Sequence, residues 1–384
     1  MALQYTKKEK MNIIIRIILV CFLAIIIGIC IAVAINQLKA KEGLTKIHAD
    51  YSNYPQAEGE YELYYYLDDS NGTNVSTKQL TISNLYSKSL DFIYPLLDNA
   101  ESYENIKNIY YINHHPNEEI EINNVLYDYL YEIYNINSRY ILSGNAMALW
   151  ESFLYNINGN YNYIDPFINL DIANKIEEFN LNYLDYISIS FKGDNKIILN
   201  VDENFKFLLE DGNQYINLSY VKEAIIMDYV KKELNNNHYY NGYIISLYGL
   251  LLDLGSNDSF DYQYLSFDNI ASICSSLEIK SNYSYINIYN FYVSNSYPFY
   301  EIKDGENIIK RTIYMNVYDL YPNFDFDTLI YFSDSSIIKT LINALDFAYK
   351  NIINDNYIKI NEKTILTNIS NLKVDGYEVI YENW

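Results

Sequence analysis

The longest uninterrupted apolar stretch runs from Ile17 to Ile35, with no charge inside it and with Asn36 and Gln37 closing it. Nineteen residues at about 1.5 Å each cover roughly 28 Å, close to the thickness of a hydrocarbon core. Helices buried in soluble proteins rarely stay apolar on every face for that length. Lys7, Lys8, Lys10 and Arg16 precede the run, which by the positive-inside rule puts residues 1–16 in the cytoplasm and makes 17–36 a transmembrane anchor. A cleaved signal peptide ending near Ala32-Val33-Ala34, or lipidation at Cys30, are the competing readings. Residues 37–58 are polar and aperiodic and read as a linker, leaving 59–384 as an extracytoplasmic domain.

Within that domain the patterning alternates irregularly between periods. Glu60–Leu67 and Ser76–Ile82 read as strands, and Ser83–Leu97 as a helix that Pro95 closes. Helical spacing of Val125, Leu126, Tyr129, Leu130 and Ile133 marks a helix over Asn123–Tyr134, and Phe167–Phe179 is another. Tyr186–Phe191 and Lys196–Val201 flank Gly193-Asp194-Asn195 as a hairpin. Ser219 is placed to cap a helix running to about Asn235. Tyr243–Leu252 reads as one buried central strand. Tyr285–Val293, Ile308–Val317 and Thr328–Phe332 are further strands. A last helix over Asp334–Ile352 turns Ile337, Ile338, Leu341, Leu345 and Ala348 inward. Such a succession predicts an α+β fold with mostly antiparallel sheets.

Composition narrows the function. The 49 acidic against 27 basic side chains give a net charge of −22, which opposes nucleic-acid backbones and anionic lipid surfaces. Cys274 is the only cysteine beyond the apolar run, so no intrachain disulfide forms there. Forty-five tyrosines read first as a good strand former in bulk; stacking on sugars or flavins would need rings clustered on an exposed face. His114-His115 reads as a surface turn before Pro116. Phosphate-binding loops, nucleophile elbows and HExxH are absent.

Taken in order, however, several segments resemble a known family. Ile216-Asn-Leu-Ser-Tyr-Val-Lys-Glu-Ala with Ile225-Ile-Met-Asp228 is similar to the Asp-Leu-Gly-Gly-Ile-Ala-Lys-Gly segment of the ApbE family. These are FAD:protein FMN transferases. Gly242–Gly249, Tyr314-Met-Asn316 with Tyr321-Pro322, and Thr340–Leu345 resemble the segments that follow; Ile112-Asn113 and Asn145–Trp150 resemble those before. The likeness covers most of 60–381. It implies a two-subdomain fold and a membrane-tethered protein. It also implies FAD and magnesium as cofactors, and transfer of FMN to a Ser or Thr of a secreted acceptor. Carried over position by position, Ser219, Tyr220, Glu223, Asp228, Gly249 and Asn316 stand at flavin-binding places. Lys222 (through its backbone), Lys339 and Asn343 stand at metal places.

The departures fall where chemistry is expected. Ser219 and Tyr220 replace two glycines, Glu223 a lysine, Leu250 an aspartate and Ile313 a histidine; Asp319-Leu320 replace Thr-Gly. Lys339 replaces the metal-binding aspartate and Asn343 a threonine. The exchanged charges at 223 and 339 predict an ion pair across the former cleft. Three readings follow: a divergent FMN transferase, a non-catalytic ligand- or protein-binding relative of the same fold, or a fortuitous likeness in a tyrosine-rich, carbohydrate-facing surface domain.

Overall fold

The computed structural model describes residues 42–69, 74–154, 169–205, 214–255, 260–268, 270–279, 282–293, 299–304, 307–314, 316–318, 324–361 and 363–382. The expected anchor at 17–36 lies outside them. Among the described residues no helix is long and apolar enough to cross a membrane.

In chain order the elements are β1 (Gly43–Ile47), β2 (Tyr61–Leu67), α1 (Val75–Leu97), α2 (Ile109–His114), β3 (Glu119–Glu121), α3 (Asn124–Asn137), α4 (Arg139–Leu142), α5 (Gly144–Leu154), α6 (Leu170–Tyr186), β4 (Ile187–Gly193) and β5 (Lys196–Val201). There follow α7 (Lys222–Asn236), β6 (Gly242–Ser246), β7 (Leu250–Asp253), β8 (Phe260–Asp268), β9 (Ile270–Ile279), β10 (Ser284–Tyr289), β11 (Phe299–Asp304) and β12 (Asn307–Thr312). β13 (Thr328–Ser333), α8 (Ile337–Lys350), β14 (Asn356–Asn361), β15 (Thr364–Thr367) and β16 (Glu378–Tyr381) complete the chain. Two compact units divide it, residues 1–45 with 66–81 and residues 46–65 with 82–384. In the smaller unit Lys78 pairs with Asp68. The rest of the account concerns the larger.

A sheet of order β1-β2-β6-β7-β10-β13-β14-β15-β16 dominates. Its described pairings are antiparallel except β15 with β16. The mixed, mostly antiparallel α+β class is therefore as expected. Strands β10 and β13 are buried along their whole length because both faces are covered. On one face Tyr285, Ile330, Phe332, Ile358 and Ile360 pack against Leu372, Val374 and Val379 from the C-terminal segment. Against the other lies α8, with Phe347 set on Tyr331 at 5.8 Å. Helices α3 and α7 pack in turn on α8. The helix is well punctuated: Ser336 accepts from the Lys339 amide, and Asn351 ends it in the left-handed region at φ 54°. The smaller sheets are β3-β5-β4 and the hairpins β8-β9 and β11-β12.

Five expectations change. Residues 43–47, inside the expected linker, form β1. Ser76–Ile82 is helical, the first turns of α1, because Ile82, Tyr86, Leu90 and Ile93 make one buried stripe that outweighs local alternation. Pro95 lies inside α1, two residues before its end. Tyr243–Leu252 is two strands, not one, turned at Gly249. Ser219 is not the cap: the N-cap of α7 is Val221, without a side-chain bond. The histidine pair lies before the surface turn at Pro116, as expected, and closes α2, each ring stacked at 3.9 Å on the tyrosine four residues back.

Candidate functional site

The segment leading into α7 is held by buried amides. Asn113 accepts from the backbone N–H of Tyr215 (3.1 Å) and Ile216 (2.8 Å) and donates to the Ile216 carbonyl (2.8 Å). Asn217 donates its N–H to the Ile141 carbonyl at 3.1 Å and accepts from Ser219 N–H at 2.7 Å. This fixes the two residues that stand in place of glycines. Tyr220 is buried, its ring edge-on to Tyr140 at 5.5 Å. Tyr140 donates to Asp346 (2.8 Å), as does Tyr318 (2.7 Å), and the Tyr318 N–H donates to Asn316 (2.9 Å). Tyr220, Asn316 and helix α8 are thus brought together around one carboxylate. Lys350 lies 3.3 Å above the Tyr318 ring and Arg139 5.6 Å from it.

Glu223 is the anomaly. It is 8% exposed, and neither carboxyl oxygen has a hydrogen-bond partner. Burial pushes its pKa well above 4.5 and the Glu60 charge adds to that; the neighbouring Ser246 hydroxyl, which falls outside hydrogen-bond geometry, and Lys222 oppose it too weakly. Glu60 itself accepts the Tyr94 hydroxyl at 2.6 Å, and the Lys222 ammonium is 5.1 Å from the Tyr94 ring centre. The expected Glu223–Lys339 pair does not form: Lys339 is exposed on α8, while Glu223 is enclosed and unpartnered. A charge exchange in sequence is no guarantee of approach when one partner faces solvent.

The remaining residues have structural roles. Asp228 accepts Tyr129 at 2.8 Å and Lys232 at 2.6 Å, one helical turn on. Gly249 makes the β6–β7 turn at φ +94°. Asn343 donates to Asp355 at 3.0 Å. The Lys222 carbonyl stands in the first turn of α7, directed along the helix. Among the described residues no group of three His, Cys, Asp or Glu is placed to hold a metal.

The tyrosines show a pattern that composition could not. Hydroxyls of Tyr94, Tyr129, Tyr140, Tyr318, Tyr331 and Tyr103 all donate to carboxylates. Phenol thereby does work that lysine and arginine do in less acidic chains. Tyr127, Tyr131 and Tyr134 also gather round Phe191, with Tyr131 half exposed. Burial, aided by these carboxylates, raises the phenol pKa values. Tyr64 is pushed up to about 12 chiefly by its bond to Glu62, and Tyr183 and Tyr229 to about 12 by burial. A raised folded-state pKa gives stability that is full below about 10 and lost as pH climbs through the folded value. Phenolate absorbance in an alkaline titration should therefore show one class ionising near pH 10. A second class should appear only with unfolding, above it. A single class at about 10 would contradict the assignment.

No protein-family model matches the sequence, and no curated protein does. Solved structures match. The ApbE protein of Thermotoga maritima aligns with a TM-score of 0.54 and 11% identity, over 83% of this chain and 94% of that one. The flavinyl transferase ApbE of Pseudomonas stutzeri gives 0.52 and 9%, over 83% and 91%. The flavin transferase ApbE of Vibrio cholerae gives 0.51 and 11%, over 83% and 93%. The chain has the ApbE fold. A fortuitous likeness is thereby set aside. On the correspondence that the sequence resemblance implies, the residues carried to the cofactor places do not fit a flavin dinucleotide held with magnesium. A buried carboxyl replaces a cation at Glu223, a buried ring replaces a glycine at Tyr220, and an exposed ammonium replaces a carboxylate at Lys339. Glycine lets backbone approach a phosphate and a hard cation needs oxygen ligands; neither condition is met there.

Proposed function

We propose that this chain is a flavin transferase-like protein of ApbE fold that has given up FMN transfer and serves as a non-catalytic binding domain. On this reading it is carried on the outer face of the membrane by the apolar run at 17–36. The observation that supports it best is Glu223, buried without a partner where the family resemblance calls for a lysine. A buried carboxyl at this place supplies none of the fixed positive charge that a lysine would offer a phosphate, and once ionised it repels one. The working-transferase reading draws on Asp228 and Asn316, which match the family pattern, but both side chains are engaged in holding neighbours. Titrating the full chain with FAD in a calorimeter tests the proposal. The expected result is no magnesium-dependent gain in affinity; a gain of tenfold or more on adding magnesium would overturn it.

A further inference from the structure

Strands β13 and β14 pair antiparallel with Phe332 opposite Asn356, so Ser333 and residues 354–356 meet at one end of the sheet. A cleft of about 550 Å³ opens there, within the range of roughly 300–1,000 Å³ of small-molecule sites. Its walls are polar, and among the described residues no lysine, arginine or histidine lines it. Phosphates and other anions are disfavoured beside Asp334, Asp355 and Glu382.

The floor is rigid. Asp355 accepts the Ser333 hydroxyl (3.0 Å), the Tyr331 hydroxyl (3.2 Å) and the Asn343 amide (3.0 Å). Asn368 donates to the Asp355 carbonyl at 2.9 Å and accepts from Tyr357 N–H at 3.0 Å. The Tyr357 hydroxyl fixes Glu382. The groups that reach into the opening are different in kind. The side chains of Asp334, Asn354 and Asn356 make no hydrogen bond within the described chain, so their donors and acceptors are unspent. Tyr283 and Tyr381 stand at the wall, the latter about half exposed. Unspent carboxylate and amide groups over a rigid floor, beside aromatic rings and with no cation among the described lining, match a ligand that is uncharged, rich in hydroxyls and apolar on its ring faces.

We propose that this cleft binds a short neutral oligosaccharide. None of its lining residues stands at a flavin or metal place, although Asn343, which does, holds Asp355 in the floor.

The test is calorimetry of the full chain, kept in a polyoxyethylene detergent that carries no sugar head group, with cellotriose, maltotriose and chitotriose. Spermidine and glucose 6-phosphate serve as cationic and anionic comparators. At least one trisaccharide should bind. The N354A/N356A double variant should weaken it about tenfold or more, the scale of one or two lost hydrogen bonds, with an unchanged circular dichroism spectrum and melting temperature. The proposal is overturned if no trisaccharide binds, if spermidine or the phosphate binds more tightly than all three, or if the double variant binds as well as the parent.

Discussion

Replacing Gly249 by alanine should cost about 4 kcal/mol of stability, at the upper end of single-residue effects. The residue sits at φ +94°, and a Cβ there would fall 2.1 Å from the Asn287 carbonyl oxygen. Neither side can retreat. The Gly249 carbonyl accepts both the Asn287 N–H (2.9 Å) and its side-chain amide (3.0 Å), so the turn is clamped to β10 in the middle of the main sheet. Gly376 is the control: φ is +81° there too, but nothing lies within 4 Å of an added Cβ. Gly376→Ala should lose only the conformational cost, about 1 kcal/mol. Urea denaturation of both variants decides the matter, and equal losses would show that close approach to Asn287 contributes nothing.

The second large effect runs the other way. Glu223→Met should stabilise the protein at pH 8 by about 1–3 kcal/mol, the usual penalty for a buried polar group left unsatisfied. The sign follows from the direction of the pKa shift. Its folded-state value is raised above 4.5, so its contribution is fully present below the unfolded value and is lost as pH rises through the folded one. Relative to Glu223→Gln, which cannot ionise, wild type should weaken progressively above about pH 4.5. The slope should approach about 1.4 kcal/mol per unit until the folded value is reached. Melting curves of the three proteins from pH 4.5 to 8 give the answer. A Glu223→Met variant less stable than wild type at pH 8 would mean that the carboxyl has a partner in solution.

Much of the secondary structure is legible in the sequence where local chemistry and periodicity agree. Helix α8 carries a capping serine, a continuous inward stripe and a left-handed asparagine, and its expected span encloses the observed one. The β4–β5 hairpin is readable because Asp194 and Asn195 take positive φ in its turn. The failures occur where the two signals separate. Ser76–Ile82 alternates like a strand, yet it is the lead-in turns of α1, whose buried stripe begins at Ile82. In Tyr243–Leu252 the apolar run conceals a turn whose only marker is Gly249. The site is harder still. Tyr129 meets Asp228 across 99 residues and Tyr140 meets Asp346 across 206, and the cleft near Asp355 is assembled from five separate segments. No spacing rule reaches that far. The same limit explains the Glu223–Lys339 pair, in which reciprocal charges were visible but burial on one side and exposure on the other were not.

The ApbE fold, and the proposed loss of the chemistry that the family resemblance implies, meet in one measurement. The full chain is incubated with FAD and magnesium together with a threonine-containing acceptor peptide, and AMP release and covalent peptide flavin are followed by chromatography. With Glu223 buried and Lys339 outside, neither product should exceed the level without protein. Magnesium-dependent formation of AMP and flavinylated peptide in equal amounts would contradict the account.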